Sequence, residues 1–503
     1  MSLADNGRPD AGRYVAGEDH TDKRAAQVAH LIETDIIRRG WPVGESLGSE
    51  QALQETFRVS RSVVREAVRL VEHHQVARVR RGPGGGLVVT APDAAPATRA
   101  TVIYLEYLGI TIDELLDARM LLEPLAAELA AERIDEAGIE QLRAILRRPL
   151  LPTGDSDLHV ALGELTGNPV LALFVDVLAR LTVRYAGRID PAPGDAPGRA
   201  DGERTAREPA PAGRAAQQRA VEKLAYDHTQ IVEAVTGGDA ARAKSQTEQH
   251  VRTVTGWLDR SMAGASRGRS RPTAEATARK RAEVVAADIH EDIAAQGWPV
   301  GAVFGTESEL LDRYGVSRSV LREAVRLLEY HTVARMRRGP GGGLVITEPT
   351  PEAIVDTIAL YLEYRHPTRE DLSLVRDVIE VGNVTTVVGR RGDSDVAAFI
   401  AGQVRDSPLQ HDDFRQAGLA EYTFHADLAE LAGNRVLNLF LRILVELFRR
   451  HWLSTMKEMP GAADAEDVVH AHGRIVEAIA SGDASLARHR SRRHLEALSS
   501  WWM

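Results

Sequence analysis

At 503 residues the chain exceeds what one hydrophobic core supports, because domains run to roughly 100–150 residues, so three or four are expected. Its 44% hydrophobic and 27% charged content is globular, no stretch reaches the ~18 apolar residues of a membrane span, and the first residues hold no apolar signal core; a cytoplasmic protein without membrane contact is expected. The absence of cysteine excludes disulfides, thiolate metal sites and cysteine nucleophiles, leaving metal binding to His, Asp and Glu, while a formal charge of −10 argues against indiscriminate coating of nucleic acid.

The sequence is written twice. Gly40-Trp41-Pro42-Val43-Gly44 recurs from Gly297 to Gly301, and the run from Arg80 to Val88 recurs from Arg337 to Val345, both at a shift of 257. At that shift 26 of the 33 positions from Arg58 to Thr90 are identical. Solenoid units are roughly 20–50 residues long, so a period of this length is a duplication of a whole protein. The expected order is a first small domain at 21–92, a helical domain at 98–260 with a disordered insert at 187–216, a linker at 261–275, a second small domain at 276–349 and a second helical domain at 352–503.

In chain order, residues 23–39 place Ala26, Val28, Ala29, Ile32, Ile36 and Ile37 at helical spacing, and Gly40 with Pro42 ends the helix. A short helix follows from Ser49 to Phe57; its counterpart opens with a capping box, Thr306 with Glu309. A third helix carries an apolar stripe of Val63, Ala67, Leu70 and Val71, with Arg61, Ser62, Arg65 and Arg69 off it. Residues 76–81 and 87–90 read as two short strands joined by a glycine tip. This order is that of a winged helix-turn-helix, whose third helix enters the major groove. Seven arginines against two glutamates between Arg58 and Thr90 make a basic face that the acidic average conceals.

Arg61 and Arg65, four apart on one helical face, can offer forked donors to guanine or phosphate, and Arg318 with Arg322 repeat them. Ser60 and Ser317 suit a helix N-cap as well as a phosphate contact. The candidate DNA contacts are thus Ser60, Arg61, Ser62, Arg65, Arg80, Arg81, Gly84 and Gly85, and in the second copy Ser317, Arg318, Ser319, Arg322, Arg337, Arg338, Gly341 and Gly342. VSRSVVREAVRLVE followed by VARVRRGPGGGLVV resembles the DNA-binding domain of GntR-type bacterial transcription regulators. One departure is that the arginine usual in that family's second helix is Gln51 or Ser308 here.

The remainder is Ala/Leu-rich and all-α in character, giving a mainly α chain of winged helix-turn-helix domains each followed by a helical bundle. Asp155 and His159 stand at i, i+4, where a carboxylate and an imidazole face the same way on a helix. His228 and His250 lie 22 residues apart about a glycine turn capped by Asp239, so a helical hairpin brings them level. Glu421, His425, His472 and His494 repeat the pattern. Asp155 follows Pro149, Pro152 and Gly154, and an N-cap role competes with ligation there.

This half resembles the FCD effector domain of the FadR-like branch of the GntR family, in which one Asp and three His hold a divalent metal and a small carboxylate completes its coordination. The resemblance implies Asp155, His159, His228 and His250, and Glu421, His425, His472 and His494, as ligands of a zinc-, nickel- or manganese-type ion. Arg119 and Arg376 become candidate partners of the effector carboxylate, against salt bridges to Glu123 and Glu380 four residues on. It implies a repressor binding a double-stranded operator under control of an organic acid. The two halves are expected to pair within one chain, with further dimerisation open. The rival readings are a metal-dependent hydrolase or lyase and a DNA-binding scaffold whose pockets no longer function.

Overall fold

A computed structural model describes residues 18–82, 85–148, 156–189, 211–262, 278–337, 339, 341–405, 414–455 and 462–501. Asp155, Gly84 and Arg338 lie outside them, as do residues 190–210 of the expected insert and 263–275 of the expected linker. The chain divides into two compact units at Ala94/Ala95.

The first unit holds α1 (Glu18–Arg38), α2 (Glu50–Phe57), α3 (Arg61–His73) and a hairpin of β1 (Ala77–Arg80) and β2 (Gly86–Val89). Val28, Ala29, Ile32 and Ile36 of α1 are buried with Leu53 of α2 and with Val63, Ala67 and Val71 of the α3 stripe; Leu70 is half-buried, and Ala25 and Val64, outside the stripes, are buried, Ala26 being exposed. Ser49 and Ser60 cap α2 and α3, and Trp41 Nε1 donates to the Thr90 carbonyl at 2.9 Å, tying the end of α1 to the hairpin.

The second unit begins with α4 (Ala94–Tyr107) and the first helical domain: α5 (Ile112–Arg133), α6 (Glu136–Leu146), α7 (Asp157–Leu165), α8 (Pro169–Ile189), α9 (Pro211–Thr236) and α10 (Ala240–Met262). Residues 187–189 and 211–216, expected in a disordered insert, are therefore helical, as are 261 and 262 of the expected linker: both helices run on past the change in composition. α5 is buried over nearly its whole circumference, which is why its apolar residues show no single stripe.

The second winged helix comprises α11 (Ala278–Ala295), β3 (Val303–Gly305), α12 (Glu307–Tyr314), α13 (Arg318–Tyr330), β4 (Ala334–Arg337) and β5 (Gly343–Ile346), the sheet order being β3-β5-β4. β3 was not anticipated; the first copy has only a bridge, Ser46 to Val88, at that place. Gly343 (φ 153°) lies where an added Cβ would come within 2.6 Å of the Gly305 carbonyl, so only glycine lets the wing pack on β3. The core of this domain is completed by α4: Ile103 joins its cluster, Tyr107 stacks edge-on against Trp298 at 5.4 Å, and the Tyr107 hydroxyl donates to Glu348 at 3.0 Å.

The second helical domain contains α14 (Pro351–Arg365), α15 (Arg369–Gly389), α16 (Ser394–Arg405), α17 (Phe414–Ala432), α18 (Arg435–Thr455), α19 (Ala462–Ser481) and α20 (Ala484–Trp501). It packs on the first through equivalent residues of the two copies. Phe174 and Phe440 stack at 3.9 Å, Asn168 Nδ2 donates to the Asp371 carbonyl at 2.9 Å, and Asn434 Nδ2 to that of Glu114 at 2.8 Å.

One contact breaks this symmetry. Arg435 donates to Glu114 through Nε at 2.8 Å and to the Leu108 and Gly109 carbonyls, whereas the equivalent of Arg435 is Pro169. Burial opposes the Glu114 charge, yet Arg435 and the Thr111 and Arg435 amides hold its pKa down to about 2. Replacing Arg435 with Ala should cost about 1–2 kcal/mol at pH 7, discounted for the partly exposed guanidinium. Because the folded-state pKa of Glu114 is depressed, the difference between native and variant should be full above pH 4.5 and shrink as the pH falls towards 2. Urea melts across that range would read it; a pH-independent difference would refute the ion-pair account.

Candidate metal centres and nucleic-acid interface

Among the described residues two groups are close enough to hold a metal ion: Glu421, His425, His472 and His494, the whole set singled out for the second copy, and His159, His228 and His250, three of the four for the first, Asp155 lying outside the described residues. In each group the ligand atoms lie within 4.8 Å of one another. The helical hairpins do the levelling expected of them, bringing the His228 and His250 rings to 4.6 Å and the His472 and His494 rings to 4.7 Å.

In the second copy the convergence is tight. His425 and His472 Nε2 each lie 3.2 Å from His494 Nε2, and Glu421 places Oε1 3.0 Å from His425 Nε2 and Oε2 2.8 and 3.2 Å from those of His472 and His494. Ligands each about 2.0–2.2 Å from a shared ion stand at about 3 Å from one another, so this donor set fits a divalent metal. The longer glutamate arm reaches the cluster that an aspartate occupies in the resembled pattern.

Behind the imidazoles stands a layer the sequence reading identified only as salt bridges. His425 Nδ1 lies 2.6 Å from Glu380 Oε2, and Arg376 donates through Nε to Glu380 Oε1 at 2.6 Å and through Nη2 to Glu421 Oε1 at 3.3 Å. In the first copy His159 Nδ1 lies 3.1 Å from Glu123 Oε2, and Arg119 grips Glu123 with Nε at 2.6 Å and Nη2 at 3.0 Å. Both arginines are thus in the salt bridges weighed against an effector role, beside the clusters. An i, i+4 Arg–Glu spacing signals the pair; nothing local signals that the same carboxylate meets a histidine from another helix.

The charges follow this layering. Burial opposes ionisation of Glu123 and Glu380, but Arg119 with His159, and Arg376 with His425, hold each at about 2. Burial likewise opposes the His425 charge, yet Glu380 and Glu421 push it up to about 10. His228 and His472 are driven down, chiefly by burial, to about 3 and about 4, and remain neutral imidazoles as metal ligation requires.

The surroundings of the two arginines differ. Arg119 Nη1 donates to Thr182 Oγ1 at 3.2 Å, whereas the Arg376 guanidinium lies 5.6 Å from the ring of Phe448, the residue equivalent to Thr182.

On the winged helices Arg61 and Arg65 are exposed on α3 with Ser60 and Ser62, and Arg318 and Arg322 on α13 with Ser317 and Ser319. Ser60 and Ser317 are N-caps, accepting from the Val63 and Val320 amides, and their hydroxyls also meet Ser62 and Ser319 at 2.9 and 3.0 Å. The sequence reading missed the residue between the arginines: Glu50 Oε1 lies 2.6 Å from Arg61 Nε and 3.1 Å from Arg65 Nε, and Glu307 stands 3.4 Å from both Arg318 and Arg322. Arg80, Arg81 and Arg337 are exposed on the ribbons, Arg337 also donating to the Gly341 carbonyl at 2.8 Å. Gly85 has a use within the fold, since an added Cβ would meet the Arg80 carbonyl at 2.3 Å. Gly341 adopts φ 70°, and the Gly342 amide closes the second tip onto the Gly339 carbonyl at 2.9 Å.

Comparison with known proteins matches the FCD domain at residues 114–253 and 371–497, more than half of the chain, and the gntR family of bacterial regulatory proteins at 24–88 and 281–343. The Uxu operon regulator of Haemophilus influenzae is 33% identical over 165 residues, covering 31% of this chain and 59% of that protein. LutR of Bacillus subtilis is 27% identical over 221 residues, 42% of this chain and 90% of that protein. A solved GntR protein of Streptococcus agalactiae is 21% identical with a TM-score of 0.29, covering 46% of this chain and 98% of that one. No described helix is long and apolar enough to cross a membrane. The chain belongs to the GntR family of bacterial transcriptional regulators, with winged helix and FCD effector domain each present twice.

Proposed function

We propose that the chain is a metabolite-controlled repressor, acting in the cytoplasm, whose two winged helices bind the half-sites of one operator and whose effector domains each bind a small carboxylate at a divalent metal. The observation that carries this reading is the repeated cluster of three buried imidazoles, one of each set lying against Glu123 or Glu380, in a chain that also repeats a basic helix. When bound, the metal offers an open coordination position to a carboxylate oxygen. His159, His228 and His250 would hold it in the first copy, with Asp155 as the implied fourth ligand, and Glu421, His425, His472 and His494 in the second. Arg119 and Arg376 border the same spaces and would answer an incoming anion by sharing their present carboxylate partners. The relatives' names, an operon regulator and a transcriptional regulator, agree with this role.

The stacked Phe174 and Phe440 and the reciprocal Asn168 and Asn434 contacts support an intramolecular pseudo-dimer. A ligand can control DNA binding only by favouring one arrangement of the winged helices over another. α4 supports such a coupling: Glu106 receives Arg184 of α8 at 2.8 Å and lies 3.7 Å from His290 of α11, linking the first effector domain to the second winged helix.

Footprinting on the DNA upstream of the protein's own gene tests the DNA-binding reading. Protection is expected, falling steeply with salt, and Arg65→Ala or Arg322→Ala should each weaken the specific complex by about 1–3 kcal/mol. An unprotected region with salt-insensitive binding counts against it. For the metal, elemental analysis of the purified chain should show bound divalent ion, with one site lost in His250→Ala and the other in His494→Ala. Glu380→Gln should lower the affinity of the second site by about 10–100-fold, as removal of a group orienting a ligating histidine does. A chain without metal, whose melting no carboxylic acid shifts, would be a DNA-binding scaffold instead.

A further inference from the structure

We propose that the outer groove of the α19–α20 hairpin is a second ligand site, taking a small phosphate-bearing anion and operating whether or not the neighbouring metal centre is filled. The groove has a volume of about 270 Å³, with an apolar floor that includes Val468 and Leu498, a wall of Arg474, His489, Arg490 and Arg493, and His494 of the metal cluster at its boundary with that centre. Cavities somewhat larger than this enclose whole drug-sized ligands, so it suits a phosphate with a few carbons attached.

The arginines are not consumed by internal pairing. Arg474 is exposed, and its guanidinium makes no hydrogen bond or ion pair among the described residues. Arg493 meets Glu496 at 2.8 Å, but both are well exposed, and such pairs contribute little. Arg490 donates from Nη1 to the Arg474 carbonyl and lies 3.3 Å from Glu477, which pins one wall to the other, while its Nε is buried without a partner. A buried guanidinium N–H left unpaired is costly and calls for an acceptor.

The duplication supplies the comparison that separates a site from an ordinary basic surface. At a shift of 244, which superposes His228 on His472 and His250 on His494, the groove residues Arg474, His489, Arg490 and Arg493 correspond to Gln230, Ser245, Gln246 and Gln249, and Ala471 corresponds to Asp227. The hairpin, its turn and its two histidines are shared, so neither folding nor the histidine cluster requires the arginines. Outside the wall the changes run both ways, Arg492 standing for Glu248 and Glu496 for Arg252. Within the groove every one of these changes runs in one direction: three glutamines become arginine, a serine becomes histidine and an aspartate becomes alanine. A concave wall confined to two helices fits a compact tetrahedral oxyanion better than the extended backbone of a duplex. Forked guanidinium groups are the donors that such an oxyanion takes best.

The test uses the full-length chain, untreated and stripped with chelator, melted in inorganic phosphate or glycerol 3-phosphate against chloride at matched ionic strength. A saturable rise in Tm is expected with one or both, inorganic phosphate alone marking free phosphate as the ligand and a stronger ester response marking a phosphorylated metabolite. The rise should persist after chelation. Arg474→Gln and Arg493→Gln, which install the first copy's residues at exposed positions, should each weaken the apparent Kd by about tenfold or more, the scale of one charge-assisted hydrogen bond. A rise abolished by chelator would put the phosphate on the metal and overturn the proposal without touching the metal reading. Unchanged binding in both variants, no rise beyond chloride, or protection of the groove by duplex DNA alone would overturn it as well.

Discussion

Each effector core depends on a buried chain of three charged or polar groups, Arg119–Glu123–His159 in one copy and Arg376–Glu380–His425 in the other. Ionised groups leave water only when paired, and taking away one member strands the rest. The chain therefore fixes which edge of the imidazole is occupied. With Nδ1 held against the glutamate, Nε2 is the edge left for a ligand, and that of His425 lies 3.2 Å from His494 Nε2. The arrangement needs one helix to present Arg and Glu a turn apart, and a second helix to present His at the same depth. α5, buried on nearly all sides, and α15, through its buried face bearing Glu380, meet the first need, which puts an ion pair where a surface helix would put one in water.

The hairpins complete the geometry by a different route. α9 with α10, and α19 with α20, turn at Gly238 and Gly482, both with positive φ, and Asp239 and Asp483 cap the returning helices. Two histidines at similar distances from such a turn must come level, because rise per residue is fixed along both arms. That is why the 22-residue spacing reads as a pair from the sequence, where the capping box at Thr306 and most of the stripes of α1 and α3 are also legible. These are local or periodic signals.

What the sequence did not disclose is what joins elements distant along the chain. β3 is three residues long with no period to detect, and it exists because Gly343 lets β5 approach it. The contact of Glu50 with Arg61 and Arg65 joins α2 to α3 with no spacing rule to announce it. Glu114 closes a capping box with Thr111 at the start of α5, and nothing near it in the sequence announces Arg435, 321 positions later. Residues 187–189 and 211–216 were misjudged because Pro, Gly and charge were averaged over a window, while the helices on either side continue into it.

Fusion changes what such contacts can become. In a symmetric dimer of identical chains every residue appears twice, and a favourable contact across the axis must be acceptable at both of its places. Here the two places carry different residues. Arg435 engages Glu114, while Pro169 stands in the equivalent position opposite Asp371; Phe448 flanks Arg376 where Thr182 bonds Arg119; Arg474 lines a groove where the other hairpin has Gln230. None of these differences is available to a homodimer. The shared parts, the stacked phenylalanines and the paired asparagines, are those that must be self-complementary for the halves to meet at all. Symmetry is thus retained at the joint and released around it: Arg435 meets Glu114 on one side, while on the other Asp371 has Pro169 where an arginine would stand.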